Sequence, residues 1–142
     1  MIEEVGIKTM YYFEYYNPHP QGKLVGDCVK RALTKATGND YISIQKELNK
    51  IKRRLNQSHF NDEKVWKEFL QEHKFVKHSF PAVRRKKRMT VNELTRKSTP
   101  SDVWVCRCAG HLVCIQNRKY WDTWDCGKKC VYTAYKLESR QT

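Results

Sequence analysis

Apolar residues in the first half of the chain recur at helical spacing. Val29, Ala32, Leu33 and Ala36 step three and four residues apart, which predicts a helix with Asp27 as N-cap and Gly38 as its left-handed stop. A second helix starts near Asn39 or Asp40. It turns Tyr41, Ile44, Leu48, Ile51 and Leu55 inward and Lys46, Lys50, Lys52, Arg53 and Arg54 outward. A third is capped by Asn61 or Asp62 and buries Val65, Trp66, Phe69 and Leu70. Pro81 and a run of basic residues interrupt the pattern, after which Thr90 is placed to cap a short helix holding Val91 and Leu94.

From Asp102 onward the pattern changes to strands. Val103 to Cys108, His111 to Gln116, Lys119 to Trp124 and Cys130 to Lys136 are rich in Val, Ile, Tyr, Trp and Cys. Ala109-Gly110, Asn117-Arg118 and the Gly127 region separate them, and connections this short imply antiparallel neighbours. Near the N-terminus, Met10 to Tyr16 is crowded with aromatics and runs into a turn-rich stretch from Asn17 to Gly22. It reads as an edge strand covering the core, with base stacking as the alternative use of its rings. The fold class expected is α+β, N-terminal helices followed by a C-terminal antiparallel sheet.

Length and composition narrow this further. The 142 residues, 39% hydrophobic and 12% aromatic, suit one folded domain over 1-142. No apolar run reaches the roughly 18–20 residues of a membrane span, and Met1 to Glu4 lacks the basic head of a secretory signal. The expectation is a cytoplasmic protein with no membrane partner. Lys and Arg exceed Asp and Glu by 28 to 15, a net charge of +13, and part of the excess is concentrated in Arg84, Arg85, Lys86, Lys87 and Arg88. A basic loop over about 82-90 is expected there. It serves as a solvated connection, a non-specific nucleic-acid contact through counterion release, or a contact for an acidic protein. No helix-turn-helix, RRM or finger pattern accompanies it.

The six cysteines have different contexts. A reducing cytosol disfavours disulfides. Cys106, Cys108, Cys114, Cys126 and Cys130, with His111, invite a zinc reading, but no C-x-x-C pair is present and Cys106 and Cys108 alternate as strand residues do. Buried free thiols are the simpler use, so neither metal nor cofactor is expected.

Cys28 stands apart, because it follows Gly26-Asp27 at the first turn of the first helix. Unpaired N–H groups and the positive end of the helix dipole favour a thiolate there, whereas an ordinary thiol has a pKa of about 8.5. Gly110-His111 opens a strand and offers a base. A two-residue turn at Asn117-Arg118 pairs Gln116 with Lys119 and puts Asp122 on the face that carries His111; a one-residue bulge would bring Asp125 nearer instead. The bland alternatives are a small buried residue at Cys28 and turn or cap residues at Asp122 and Asp125. His19, His59, His73 and His78 read as structural or solvated.

This order of thiol, imidazole and carboxylate resembles the papain-like cysteine peptidases. The residues that carry it are Asn17-Pro18, Gly26-Asp27-Cys28-Val29-Lys30-Arg31-Ala32-Leu33, Gly110-His111-Leu112-Val113 and Tyr120-Trp121-Asp122-Thr123-Trp124-Asp125. They are similar to the bacteriocin-processing peptidases of ABC transporters and to small papain-like proteins of bacteriophages and mobile elements. The resemblance implies a papain-like fold and a thioester route. In it Cys28 is the nucleophile, His111 the base and Asp122 (or Asp125) the orienting acid, with Gln21 or Asn17 at the oxyanion and Trp124 shielding the His–Asp bond. It implies a protein or peptide substrate, with a catalytically silent factor acting on a host protein as the alternative role.

Overall fold

The computed structural model describes residues 12–80 and 88–138. Arg84, Arg85, Lys86 and Lys87 of the basic run therefore lie outside the described residues, as do Met10 and Tyr11. The described chain runs β1 (Phe13–Tyr15), α1 (Cys28–Thr37), α2 (Tyr41–Arg54), α3 (Glu63–Glu72), β2 (Phe75–Ser79), α4 (Val91–Lys97), β3 (Val103–Cys108), β4 (His111–Gln116), β5 (Lys119–Asp122) and β6 (Thr133–Leu137). The class is α+β.

Each helix begins and ends where local chemistry directs it. Gly38, at φ +76°, closes α1 by returning its N–H to the Thr34 carbonyl. The Asp40 carboxylate accepts from the Ser43 N–H at 2.8 Å to cap α2. Thr90 and Glu93 form a reciprocal capping box on α4. Asp27 departs from the expected pattern. It occupies the N-cap position of α1, but its carboxylate makes no capping bond.

The sheet has six strands in the order β1-β5-β4-β3-β6-β2. Its centre is the β3–β4–β5 meander, built by two tight turns. Ala109-Gly110 joins Cys108 to His111 across the first, with Gly110 at φ +62°. Asn117 and Arg118 both take positive φ, 55° and 57°, the pair of angles a type I′ hairpin requires. That turn sets Gln116 against Lys119, and the ladder ends at Cys114 against Trp121.

Four features correct the sequence expectation. A strand, β2, follows α3, so helices and strands interleave. β6 starts at Thr133 and leaves the meander to pair with β3 and β2, whereas Cys130 makes only an isolated bridge with Thr90. The aromatic edge strand β1 runs parallel to β5, so the sheet is mixed. β5 also stops at Asp122, two residues short of Trp124.

Alternating residues of the meander bury both faces. Val103, Val105, Leu112 and Cys114 pack against Val29, Ala32, Leu33 and Ala36 of α1 and the inner sides of α2 and α3. Trp104, Cys106, Val113, Ile115 and Tyr120 face Val91 and Leu94 of α4, with Cys126 and Val131. α1 thus lies across the middle of the sheet, its N-terminus at the end where β4 begins and β5 finishes.

Candidate active site

Three elements meet at that end. Cys28 is the first residue of α1, His111 the first of β4 and Asp122 the last of β5. Cys28, His111 and Leu112 line one cleft, with the His111 ring and the Leu112 N–H near enough to the thiol to act on its ionisation. The His111 Nε2 lies 2.6 Å from Asp122 Oδ2, with Asp122 fully buried. Because Nε2 is engaged by the acid, Nδ1 is the nitrogen left for the sulfur. The structure thus brings Cys28, His111 and Asp122 together at one end of the sheet.

Their electrostatics follow from this proximity. Burial pushes the Cys28 thiol up. The His111 hydrogen bond, the Leu112 N–H and the positive charges of His111 and Arg31 more than reverse that, leaving it below the ordinary thiol value. Burial disfavours the His111 imidazolium, but hydrogen bonds and charge from Asp122 and Cys28 raise it to about 9. Burial likewise opposes ionisation of Asp122, and the His111 bond and charge, Arg31 and the Thr123 N–H hold its carboxyl below the usual range. Each group favours the charged form of its neighbour, the arrangement that stabilises a thiolate–imidazolium pair.

The sulfur opens onto a cleft of about 270 Å³ lined by α1, the β3–β4 turn and the start of α3. Trp66 forms part of its wall, held edge-on to Tyr135 at 5.8 Å between ring centres. Arg107 and Glu63 also line the cleft, their charged ends 3.9 Å apart. At Gly110 a Cβ would meet nothing within 4 Å. Its positive φ accounts for the glycine, and the space beside it is open to a ligand.

The other site expectations fare differently. Asp125 accepts from the Tyr120 hydroxyl and the Gly127 N–H, so its carboxylate braces the turn after β5. A Cβ at Gly127 would collide with the Tyr120 ring, which explains the glycine in that turn. Trp124 packs on His111, ring centres 4.9 Å apart and tilted by 48°, and is 45% exposed. The Asn17 amide donates to the carbonyls of Gly22 and Lys23 and so ties up its own loop. Gln21 is exposed, and neither it nor Asn17 lines the cleft. Arg88, at the described end of the basic run, donates to the Phe80 carbonyl and stacks over Tyr132.

The cysteines do not gather as a zinc set. Cys106, Cys108, Cys114 and Cys126 are buried and Cys130 is exposed. Among the described residues, the group with metal-ligand chemistry is His111, Asp122 and Cys126, whose ligand atoms lie within 4.8 Å of one another. Those atoms already bond among themselves, since both His111 Nε2 and the Cys126 thiol (3.2 Å) contact Asp122 Oδ2.

A buried polar network behind the site was not anticipated. Arg31 reaches Asp27 at 2.6 Å and Asp122 at 2.9 Å, and the Tyr41 hydroxyl donates to the other Asp27 oxygen at 2.7 Å. The available signal was the four-residue spacing of Asp27 and Arg31 on one predicted helix. Asp27 fails to cap α1 because both of its oxygens are taken by this network.

No family model, curated protein or solved structure matches the chain.

Proposed function

We propose that the protein is a cysteine-dependent hydrolase that cleaves an amide bond (peptide, isopeptide or related) through a thioester, and that its architecture is of the papain-like kind. The observation that carries this reading is the convergence of Cys28 and His111 at the wall of one cleft, with the His111 ring bound to the buried Asp122 carboxylate at 2.6 Å.

The chemistry follows from the geometry. The Cys28 thiolate attacks the substrate carbonyl, and the C–S bond forms as the carbonyl π electrons move onto oxygen. The first-turn N–H groups of α1, Cys28 included, have no intrahelical acceptor and no side-chain cap, which fits them to receive the oxyanion. His111 passes its Nδ1 proton to the leaving nitrogen, and the C–N bond breaks to give the thioester. It then takes a proton from water, whose oxygen displaces Cys28. Asp122 holds the ring with Nε2 bound and offsets its charge.

Acylation tests the reading. Mixed with a p-nitrophenyl ester, the protein should release one burst of nitrophenol per chain and carry a thioester at Cys28, located by peptide mass spectrometry. Cys28→Ala should show neither. Acylation spread equally over Cys28 and the exposed Cys130 would overturn the reading.

A further inference from the structure

The part of the site that the hydrolase reading leaves unused is the charged cluster behind it. We propose that Arg31 is a positioning residue that clamps the acid of the triad to the helix bearing the nucleophile. The inference rests on the hydrolase reading and adds to it a fourth group that touches no substrate.

Arg31 lies one helical turn after Cys28 and is 5% exposed. Its Nη1 bonds Asp27, the residue just before the nucleophile, and its Nη2 bonds Asp122 Oδ1, leaving Oδ2 for His111. One planar guanidinium therefore spans the start of α1 and the end of β5. Planar, two-pronged recognition suits arginine and not lysine. Tyr41 of α2 fixes the far side of Asp27, and Lys30, which senses the Asp27 charge, lies over the Tyr41 ring.

The charge count explains why this matters. The groups around Asp122 are His111 of β4, Arg31 of α1, and the thiols of Cys126 and, farther off, Cys108. Without Arg31, the buried Asp122 would keep the His111 imidazolium as its one cationic partner, and burial would push its carboxyl toward the protonated form. A neutral Asp122 no longer supports the imidazolium, and the Cys28 thiolate then loses its partner. Arg31 thus acts on Cys28 through two intermediaries, besides its own direct charge effect.

The test is the pH profile of iodoacetamide alkylation at Cys28, read by mass spectrometry in wild type, Arg31→Lys and Arg31→Met. The wild-type profile should lie below the ordinary thiol range. Arg31→Met should move the profile upward by on the order of one pH unit, about tenfold slower on the acid limb. Arg31→Lys, which keeps the charge but not both directed bonds, should fall between. A change that only loosened the fold would alter the melting transition without producing this graded shift. If Arg31→Met alone does not fold, Asp27→Asn/Arg31→Met removes opposite charges together and should show the same upward shift. A folded Met variant, single or paired, with the wild-type profile would overturn the proposal. An ordinary thiol profile in wild type itself would instead overturn the hydrolase reading.

Discussion

At the scale of single residues, the site works by opposed titrations. His111, raised to about 9, contributes ion-pair stability that is fully present below the ordinary imidazole value and is lost as pH rises through about 9. Cys28 is lowered, so its contribution has the opposite sign: present above the ordinary thiol value, lost as pH falls through the lowered one. The thiolate–imidazolium pair therefore fills the window between the lowered Cys28 value and about 9. Replacing His111 by Gln removes both the charge and the ring bond. Alkylation of Cys28 at neutral pH should then slow by on the order of tenfold or more, as an ordinary thiol is only a few per cent ionised there. Retention of the wild-type rate would show that the helix terminus and Arg31 suffice. The placement of Cys28, His111 and Asp122 was legible residue by residue, because a helix start, a strand start and a two-residue hairpin each carry their own local signal. The role of Asp27 was not, since a cap and a buried ion-pair partner look identical until Arg31 and Tyr41 close around the carboxylate.

At the scale of elements, turn geometry determines where Asp122 falls. Two consecutive left-handed residues, Asn117 and Arg118, fix the β4–β5 register, and Trp121 reinforces it by donating to the Gln116 carbonyl at 2.8 Å. This register was readable because a two-residue hairpin leaves little freedom. The pairing of β6 with β3 was not, because ten residues separate Asp122 from Thr133 and no local signal chooses an edge. β2 escaped notice for another reason. It is an outer strand with only Phe75 buried, so it lacks the apolar alternation that marks strands. On the helical side, the Thr90–Glu93 capping box holds α4 over the second core face. Thr90→Ala should lower unfolding free energy by about 1 kcal/mol in urea titration; an unchanged midpoint would mean that packing of Val91 and Leu94 alone holds the helix.

At the scale of the whole molecule, the sheet is the platform and α1 carries Cys28 across it. Leu33 and Ala32 are buried against the sheet face that holds Val105, Leu112 and Cys114. Truncating Leu33 to Ala should cost roughly 2–5 kcal/mol, measured by denaturant unfolding, because the cavity would lie between helix and sheet with little room to collapse. A loss below about 1 kcal/mol would mean that α1 repacks freely, and the site could not be held as described. Charge belongs to this scale as well. The +13 net charge favours anionic partners at long range, and the described part of the cleft presents both signs, Arg107 beside Glu63.

The grouping of Cys28, His111 and Asp122 makes one claim above the others: that Cys28 ionises at lower pH than a free cysteine. Difference ultraviolet titration of the thiolate, wild type minus Cys28→Ser, reads that ionisation directly. The expected result is a single thiolate step below the ordinary value of about 8.5. A step at or above that value would contradict the account.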